Sequence, residues 1–478
     1  MWGIRFLYTG GLVTMDREMT GIDALFNPRS VAVIGASEKP TKLGFHVMKS
    51  LTKGGFPGII TPINPTSKEI MGLKAVVSIS DIADEPDLAI VVLPSRMVPG
   101  VFEECIAKGV KGIVLITAGF REIDDPQGAV LHEQIAEIVN RAGVPVIGPN
   151  TFGMINLHAD LNASFTPEFS QVRKGRIGLV SQSGGMCHLI SFLAMREGIG
   201  FSKIIGLGNR LNVDFERMIE YLIEDQDTGV IALYLEGIDQ PRQLQNTARS
   251  LRGRKPIVAY KTGIGCLGDQ ASRSHTGSIA GRGELYSGAF NQAGVLEVKG
   301  VEELLDTAKA LARCPVLSGN GVAILSSQAG PGIAAADRCQ TSDLSIVPFT
   351  GETQGRINEI LPPLALRVNP VDMGPAWYDS EAVIGILKAV LRDEHVAGIL
   401  LLMMFASANV DSIKGLSFLL EEGRPEKPLI TCLSAPPGIW DEHIKRYEEA
   451  GVLVNYSTPE RAAEAMVNLN RYRGLINA

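Results

Sequence analysis

The strongest constraint on this chain is an alternation. From residue 30 onward, short apolar runs rich in Val, Ile and Leu, each closing on a small or turn-forming residue, are separated by stretches with helical spacing. The first five runs are SVAVIGAS, GIITPINP, LAIVVLPS, GIVLITAG and VPVIGPN, and segments such as VPGVFEECIAKG lie between them. Such an alternation predicts an α/β chain of βαβ units around parallel sheets, with ligands received at the carboxyl ends of the strands. A second series, RIGLVSQSGG, KIIGLGNR, GVIALYLEGI, KPIVAYKTG and GVLEVKG, follows an irregular connector at 156–174. A third runs GVAILSSQAG, LSIVPFTG, VAGILLLMMF, PLITCLSAPP and VLVNYSTPERAAEAM, after a break near CPVLSGN (314–320). The expected units are therefore 21–155, 172–316 and 317–478, which suits 478 residues at about 150 per domain. Residues 1–20 do not join the pattern and lack the apolar core and cleavage site of a signal peptide. They read as a disordered or mis-called extension, with Met15 or Met19 as alternative starts.

Composition narrows the function. A formal charge of −7, with no basic run, argues against nucleic-acid binding, because nothing would neutralise a phosphate backbone. The longest apolar stretch, AGILLLMMFA (397–406), falls short of the ~20 residues a membrane helix needs and reads as a buried strand. The six cysteines are scattered without a CxxC pair, as expected for reduced, mostly buried thiols in a cytoplasmic protein.

Two strand-to-helix junctions echo each other. GRIGLVSQSGG (175–185) and GVAILSSQAGP (321–331) align without gaps and share Ser-Gln-x-Gly after an apolar run. The echo suggests duplication of a flavodoxin-like unit. The second copy has Ala329 where the first has Ser183, so chemistry is expected in the first.

Several segments can carry that chemistry, most with a plainer alternative. VIGASEKPTKLG (33–44) is not GxGxxG, yet it offers backbone N–H groups, the hydroxyls of Ser37 and Thr41, and Lys42 near a helix start. That suits the phosphates of a nucleotide-like ligand, or it is an ordinary βα turn. TPINP, VLPS, ITAGF and GPNTFG bring further Pro, Asn, Ser, Thr and Gly to strand ends, so one rim could receive an extended ligand. SQSGG (181–185) opens a helix, and its N–H groups with Ser183 make either an anion site or a simple Ser/Gly cap. Glu236 ends the run ALYLEGI, as a solvated turn residue or as the partner of a titratable group.

The candidate partner is His275, in the glycine-rich stretch SRSHTGSIAG. No His, Cys or Asp stands at metal-ligand spacing, and no GxSxG elbow supports a Ser–His triad. A histidine nucleophile remains open, since imidazole is nucleophilic at one nitrogen when a carboxylate accepts the proton of the other. So does a surface histidine with no role.

In order, SVAVIGASEKPTKLG, PINP, GPNTFGMIN, GLVSQSGGM, GNRLNVDFERMIEYLIEDQDTGVIALYLEGI and SHTGSIAG resemble the NDP-forming acyl-CoA synthetases, specifically α subunits of ADP-forming acetyl-CoA (acyl-CoA) synthetase. The likeness spans about 21–475. It implies a Rossmann-like CoA-binding domain followed by two flavodoxin-like, succinyl-CoA synthetase-like domains. It also implies a separate ATP-grasp β subunit holding ADP or ATP with Mg2+, in an α2β2 heterotetramer. No metal site or tightly bound cofactor is implied on this chain. The implied reaction interconverts acyl-CoA, ADP and phosphate with a carboxylic acid, CoA and ATP, through an acyl phosphate and a phosphohistidine. By motif position His275 would be phosphorylated, Glu236 would orient it, and Ser183, Gly184 and Gly185 would cradle the phosphate. Ser37, Lys42, Asn64, Pro94 and Thr117 would face CoA, with the acyl pocket near Thr151–Gly153 between the first two units. The histidine loop would then swing to the nucleotide on the partner.

Three departures stand out. Thr151 replaces the family's usual Cys, Thr66 with Lys68 nearby replaces a basic residue after Asn-Pro, and SQAGPG replaces NAGGPG. Two other functional classes compete. A CoA-binding regulatory module without catalysis would be expected to lack the histidine, which is present. A nicotinamide oxidoreductase would need GxGxxG and an acidic residue on the second strand.

Overall fold

A computed structural model describes residues 21–265 and 283–477. The extension 1–20, Cys266 and His275 lie outside the described residues. All fifteen expected apolar runs contain strands, distributed over three sheets.

The first sheet contains β1 (Ser30–Ile34), β2 (Ile59–Ile63), β5 (Leu88–Val91), β6 (Gly112–Leu115) and β7 (Val146–Ile147) in the order β2-β1-β5-β6-β7, all parallel. A short hairpin of β3 (Glu69–Ile70) and β4 (Leu73–Lys74) interrupts the crossover after β2. Alternation decides the two faces: Val31 and Val33 join one apolar cluster and Ala32 and Ile34 another.

In the second sheet β10 (Lys174–Ser181), β11 (Phe201–Gly206), β12 (Val230–Leu235), β13 (Ile257–Lys261) and β14 (Val295–Val298) are parallel. At the end of the first expected unit β8 (Gly153–Asn156), and within the expected irregular connector β9 (Leu161–Ser164), add an antiparallel pair to the edge of the second sheet beyond β11. Each holds only four residues and every one is buried, so no polar alternation marked them as strands. The third sheet orders β15 (Gly321–Ser326), β16 (Ser345–Ile346), β18 (Gly398–Met404), β19 (Leu429–Ser434) and β20 (Val454–Asn455) as β16-β15-β18-β19-β20, with β17 (Val371–Asp372) pairing β15.

Counting the parallel core strands of each sheet from its first, all three follow the doubly wound order 2-1-3-4-5. Each sheet thus has a switch point beside its first strand, between β1 and β5, β10 and β12, or β15 and β18. The first unit shares this order too, so topology alone gives no support for duplication of the second into the third.

The joints differ in kind. One apolar cluster runs without a break from Leu25, Val33 and Met48 of the first unit to Met154, Leu161 and Ile219 of the second. Phe26 stacks on Tyr221 across the same joint at 4.6 Å between centroids. The second and third units meet through the helices Val301–Arg313 and Pro459–Asn477, with Arg461 bridging Asp306 at 2.6 Å and Glu197 at 2.7 Å.

Candidate active site

The turn after β1 is built by two glycines. Gly35 has φ +93°, and a Cβ there would stand 2.3 Å from the Val92 carbonyl oxygen. A Cβ on Gly44 would stand 2.0 Å from the Gly35 oxygen, so the helix Leu43–Gly54 packs its backbone directly on the turn. Around this turn the five residues expected to face CoA occupy the carboxyl rim of the first sheet, in two groups. Ser37, whose Oγ accepts from the Lys39 N–H at 3.1 Å, and Lys42, which precedes the helix, follow β1. Asn64 follows β2 and donates to the Ala36 carbonyl at 2.9 Å. Its Oδ1 accepts from Thr66 N–H and hydroxyl and from Ser67 N–H, so Asn64 shapes the rim. Pro94 and Thr117 follow β5 and β6, and the Thr117 hydroxyl donates to the Leu93 carbonyl at 2.7 Å.

The second unit supplies the polar half of the site. β10 ends at Ser181 and the helix Gly184–Glu197 begins three residues later, capped by Ser183. The Ser183 Oγ accepts from the Met186 N–H at 3.4 Å, and Ser181 donates to the Ser183 carbonyl at 2.8 Å. Gly184 and Gly185 have neither a left-handed φ nor a crowded Cβ position, the nearest atoms being 3.8 and 3.9 Å away. Glycine costs a helix about 1 kcal/mol relative to alanine. Here neither packing nor backbone conformation demands it; close approach of a ligand to bare backbone N–H groups would.

Glu236 stands directly opposite, just past the end of β12. Buried Gln182 turns its Oε1 to accept from both the Glu236 and Gly237 N–H groups at 3.0 Å. The Lys261 ammonium donates to the Glu236 carbonyl at 2.8 Å, and the Tyr234 hydroxyl lies 3.4 Å from Oε1 of its carboxylate. Ser183, Gly184, Gly185 and Glu236 line one cavity of about 490 Å³, closed on the other side by Leu43, Ile116, Ala118 and Asn150 of the first unit. Lys42 and Thr117 neighbour its walls in sequence; Ser37, Asn64 and Pro94 do not line it.

Thr151 belongs to this cavity as well. Its hydroxyl donates to the Gly206 carbonyl at 2.6 Å and accepts from the Gly153 N–H at 3.0 Å, tying β8 to the end of β11. On the first unit, Glu122 accepts from the N–H groups of Gly119 and Phe120 and from the Asn209 amide of the second unit. Burial works to raise the Glu122 carboxyl, but these donors outweigh it and hold it below the ordinary glutamate value.

The apolar wall is made by Phe152, inside the stretch Thr151–Gly153 where the acyl pocket was expected, and by Phe165 and His188, which sequence reasoning missed. Phe152 and Phe165 flank β8 and β9, and no local pattern linked them to the helix that carries His188.

Residues 29–156 match the model of a CoA binding domain, and 174–311 match that of the succinyl-CoA ligase like flavodoxin domain. The α subunit of ADP-forming acetate–CoA ligase II from Pyrococcus furiosus is 37% identical over 448 residues, covering 93% of this chain and 96% of that one. ADP-forming acetate–CoA ligase I of Archaeoglobus fulgidus is 37% identical over 452 residues; 94% of this chain is covered, but it spans only 64% of that longer protein. Among solved structures, an acetyl-coenzyme A synthetase of Candidatus Korarchaeum cryptofilum, in complex with phosphate and ADP, superposes with a TM-score of 0.88. That chain is 33% identical, with 95% of this chain and 97% of that one covered.

Proposed function

Because the chain belongs to the α subunits of the ADP-forming acetate–CoA ligases, a family of acid–thiol ligases, we propose that its cavity turns an acyl-CoA and phosphate into an acyl phosphate, whose phosphoryl group it then carries to ADP. The observation that carries this reading is a single cavity bounded by a bare helix start, a strand-end carboxylate and the rim of a CoA-binding domain.

Each step asks for chemistry these residues can supply. CoA lies along the carboxyl rim of the first sheet, near Ser37, Lys42, Asn64, Pro94 and Thr117. Its thioester reaches the cavity, where phosphate waits against the N–H groups of Gly184 and Gly185 and the hydroxyl of Ser183. A phosphate oxygen attacks the thioester carbonyl, the C–S bond breaks, and CoA leaves as the thiolate, which takes up a proton. An imidazole nitrogen of His275 then attacks phosphorus and the carboxylate of the acid departs. Glu236 accepts a hydrogen bond from the other ring nitrogen and stabilises the charge that develops there. Phosphoryl transfer depends on positioning and electrostatic stabilisation, which oriented backbone N–H groups provide.

A separate ATP-grasp β subunit would hold ADP with Mg2+ and take the phosphoryl group, in an α2β2 assembly acting in the cytoplasm. Among the described residues no helix is long and apolar enough to cross a membrane. The division of labour follows the three units, with CoA on 21–155, phosphate and histidine on 172–316, and 317–478 as the second ligase unit. The test is to incubate the chain and its β subunit with ATP labelled at the γ-phosphate. The chain should acquire acid-labile, base-stable label that ADP removes, and His275→Ala should acquire none. Label retained in that variant would overturn the assignment.

A further inference from the structure

The two glycines that open the phosphate-binding helix create a problem that the proposed mechanism does not solve. Gly184 and Gly185 are the most flexible residue type, and their Cβ positions face nearly open space. Donors that stabilise developing charge must already be in place when the charge appears. The helix holds the Gly184 carbonyl by its ordinary backbone bond, and a side chain one turn further along adds a second to the same oxygen.

His188 lies half-buried on the wall of the same cavity. Its Nδ1 is 2.8 Å from the Gly184 carbonyl oxygen and its Nε2 is 2.8 Å from the Thr166 hydroxyl. A carbonyl only accepts, so Nδ1 carries a proton and donates it to Gly184, while Nε2 is bonded to the Thr166 hydroxyl. Thr166 is itself anchored: its N–H donates to Ser164 at 3.1 Å, and its carbonyl accepts from the Asn162 amide at 3.1 Å. Four phenylalanine rings fix the imidazole plane, with centroids at 4.9 Å (Phe169), 5.5 Å (Phe152), 5.8 Å (Phe192) and 5.9 Å (Phe165).

The geometry points to His188 as a positioning residue for the phosphate site. By holding the Gly184 carbonyl, it fixes the peptide plane between Gly184 and Gly185 and so aims the Gly185 N–H, on the opposite edge of that plane, at the anion. The imidazole takes no part in the transfer. The clamp is completed by Thr166, so the antiparallel pair β8–β9 and the residues after it set the geometry of a helix they do not belong to. This inference rests on the phosphate-cradle reading above.

The experiment uses the chain alone with inorganic phosphate, following the backbone amides of Gly184 and Gly185 by glycine-selective 15N NMR. His188→Phe keeps an aromatic ring but loses the donor. His188→Asn loses the ring but places an amide nitrogen where Nδ1 was. His188→Phe should weaken phosphate binding about tenfold, the size of one hydrogen bond, while His188→Asn stays within about threefold of wild type. Near-UV circular dichroism confirms that both variants are folded. Equal affinity in wild type and His188→Phe would overturn the proposal, as would a His188→Asn variant as weak as His188→Phe. Wild-type amides at Gly184 and Gly185 that ignore phosphate would overturn the cradle itself, a failure distinct from equal responses in all three proteins.

Discussion

The second and third units enter their first helices through the same framework, and side chains distinguish the candidate site of one entry from the other. Ser181 is the last residue of β10 and pairs with Tyr234, while Ser326 ends β15 and pairs with Leu402. The next residue in each case, Gln182 or Ser327, donates its N–H to the carbonyl of that partner. Ser181 and Ser326 each bond the carbonyl two residues on, at Ser183 and Gln328, the residues that precede the two helices. By these bonds Ser181 corresponds to Ser326, one position away from Ser327, its match in the ungapped sequence echo. In the structural register Gln182 corresponds to Ser327, and both do one job. Gln182 accepts from the N–H groups of Glu236 and Gly237, and Ser327 accepts from that of Met404. Position for position, the cap Ser183 becomes Gln328, which makes no side-chain cap bond, and the carboxylate Glu236 becomes Met404. Gly184, whose bare backbone lines the cavity, likewise becomes Ala329, so three side-chain differences separate the candidate phosphate site from its counterpart on the same doubly wound framework.

The sharpest way to break this comparison is to give the second unit the third unit's residue. Glu236→Met should lower turnover with the β subunit by at least about 100-fold, the scale of losing a positioned acid–base group, while the KM for CoA stays within twofold. A variant that keeps a tenth of wild-type activity would remove the carboxylate from the mechanism. Next in size is the buried acceptor. Gln182→Ala strands two N–H groups, that of Gly237 buried and that of Glu236 half-buried, and should cost about 2–4 kcal/mol by urea unfolding, whereas Ser327→Ala strands the half-buried one of Met404 and should cost about half as much. Smaller still is the cap: Ser183→Ala should cost about 1 kcal/mol and Gln328→Ala nothing measurable, which parallel thermal melts can resolve.

The joints extend the comparison to pH. Glu122, at the first joint, is held below the ordinary glutamate value, so its contribution is fully present above about pH 4.3 and is lost as pH falls through its folded value. At the second joint burial raises the Asp306 carboxyl, against the pull of Arg461, so acid does not weaken that group's contribution in the same way. The stability gap between wild type and Glu122→Gln should therefore shrink between pH 5 and pH 3 in urea titrations. A gap that stays constant would show that the Asn209 contact does not depend on charge.

Much of this molecule was legible before any coordinates. The expected runs became strands because β-branched apolar segments buried on both faces have few alternatives in a parallel sheet. Ser183, Gly184, Gly185 and Glu236 were legible because strand ends and helix starts are where such folds bind ligands. Thr151 illustrates the limit. As a departure from the family's cysteine it raised a question about chemistry, and its hydroxyl proves to tie β8 to β11. The strands β8 and β9 were illegible because four buried residues carry no period, and His188 because its partners Thr166 and Gly184 sit on different elements.

The sequence by itself determined the three sheets, the strand-end rim expected to receive ligands and the residue types that meet there, because these follow from local periodicity and turn chemistry. Only the tertiary structure decided that Glu236 and the Ser183–Gly185 turn face one cavity, that the two Ser-Gln junctions are out of register by one residue, and that His188 holds Gly184. Those are relations between elements distant in sequence, fixed by side chains packing and hydrogen bonding across the joint. A local pattern carries no record of what lies opposite it.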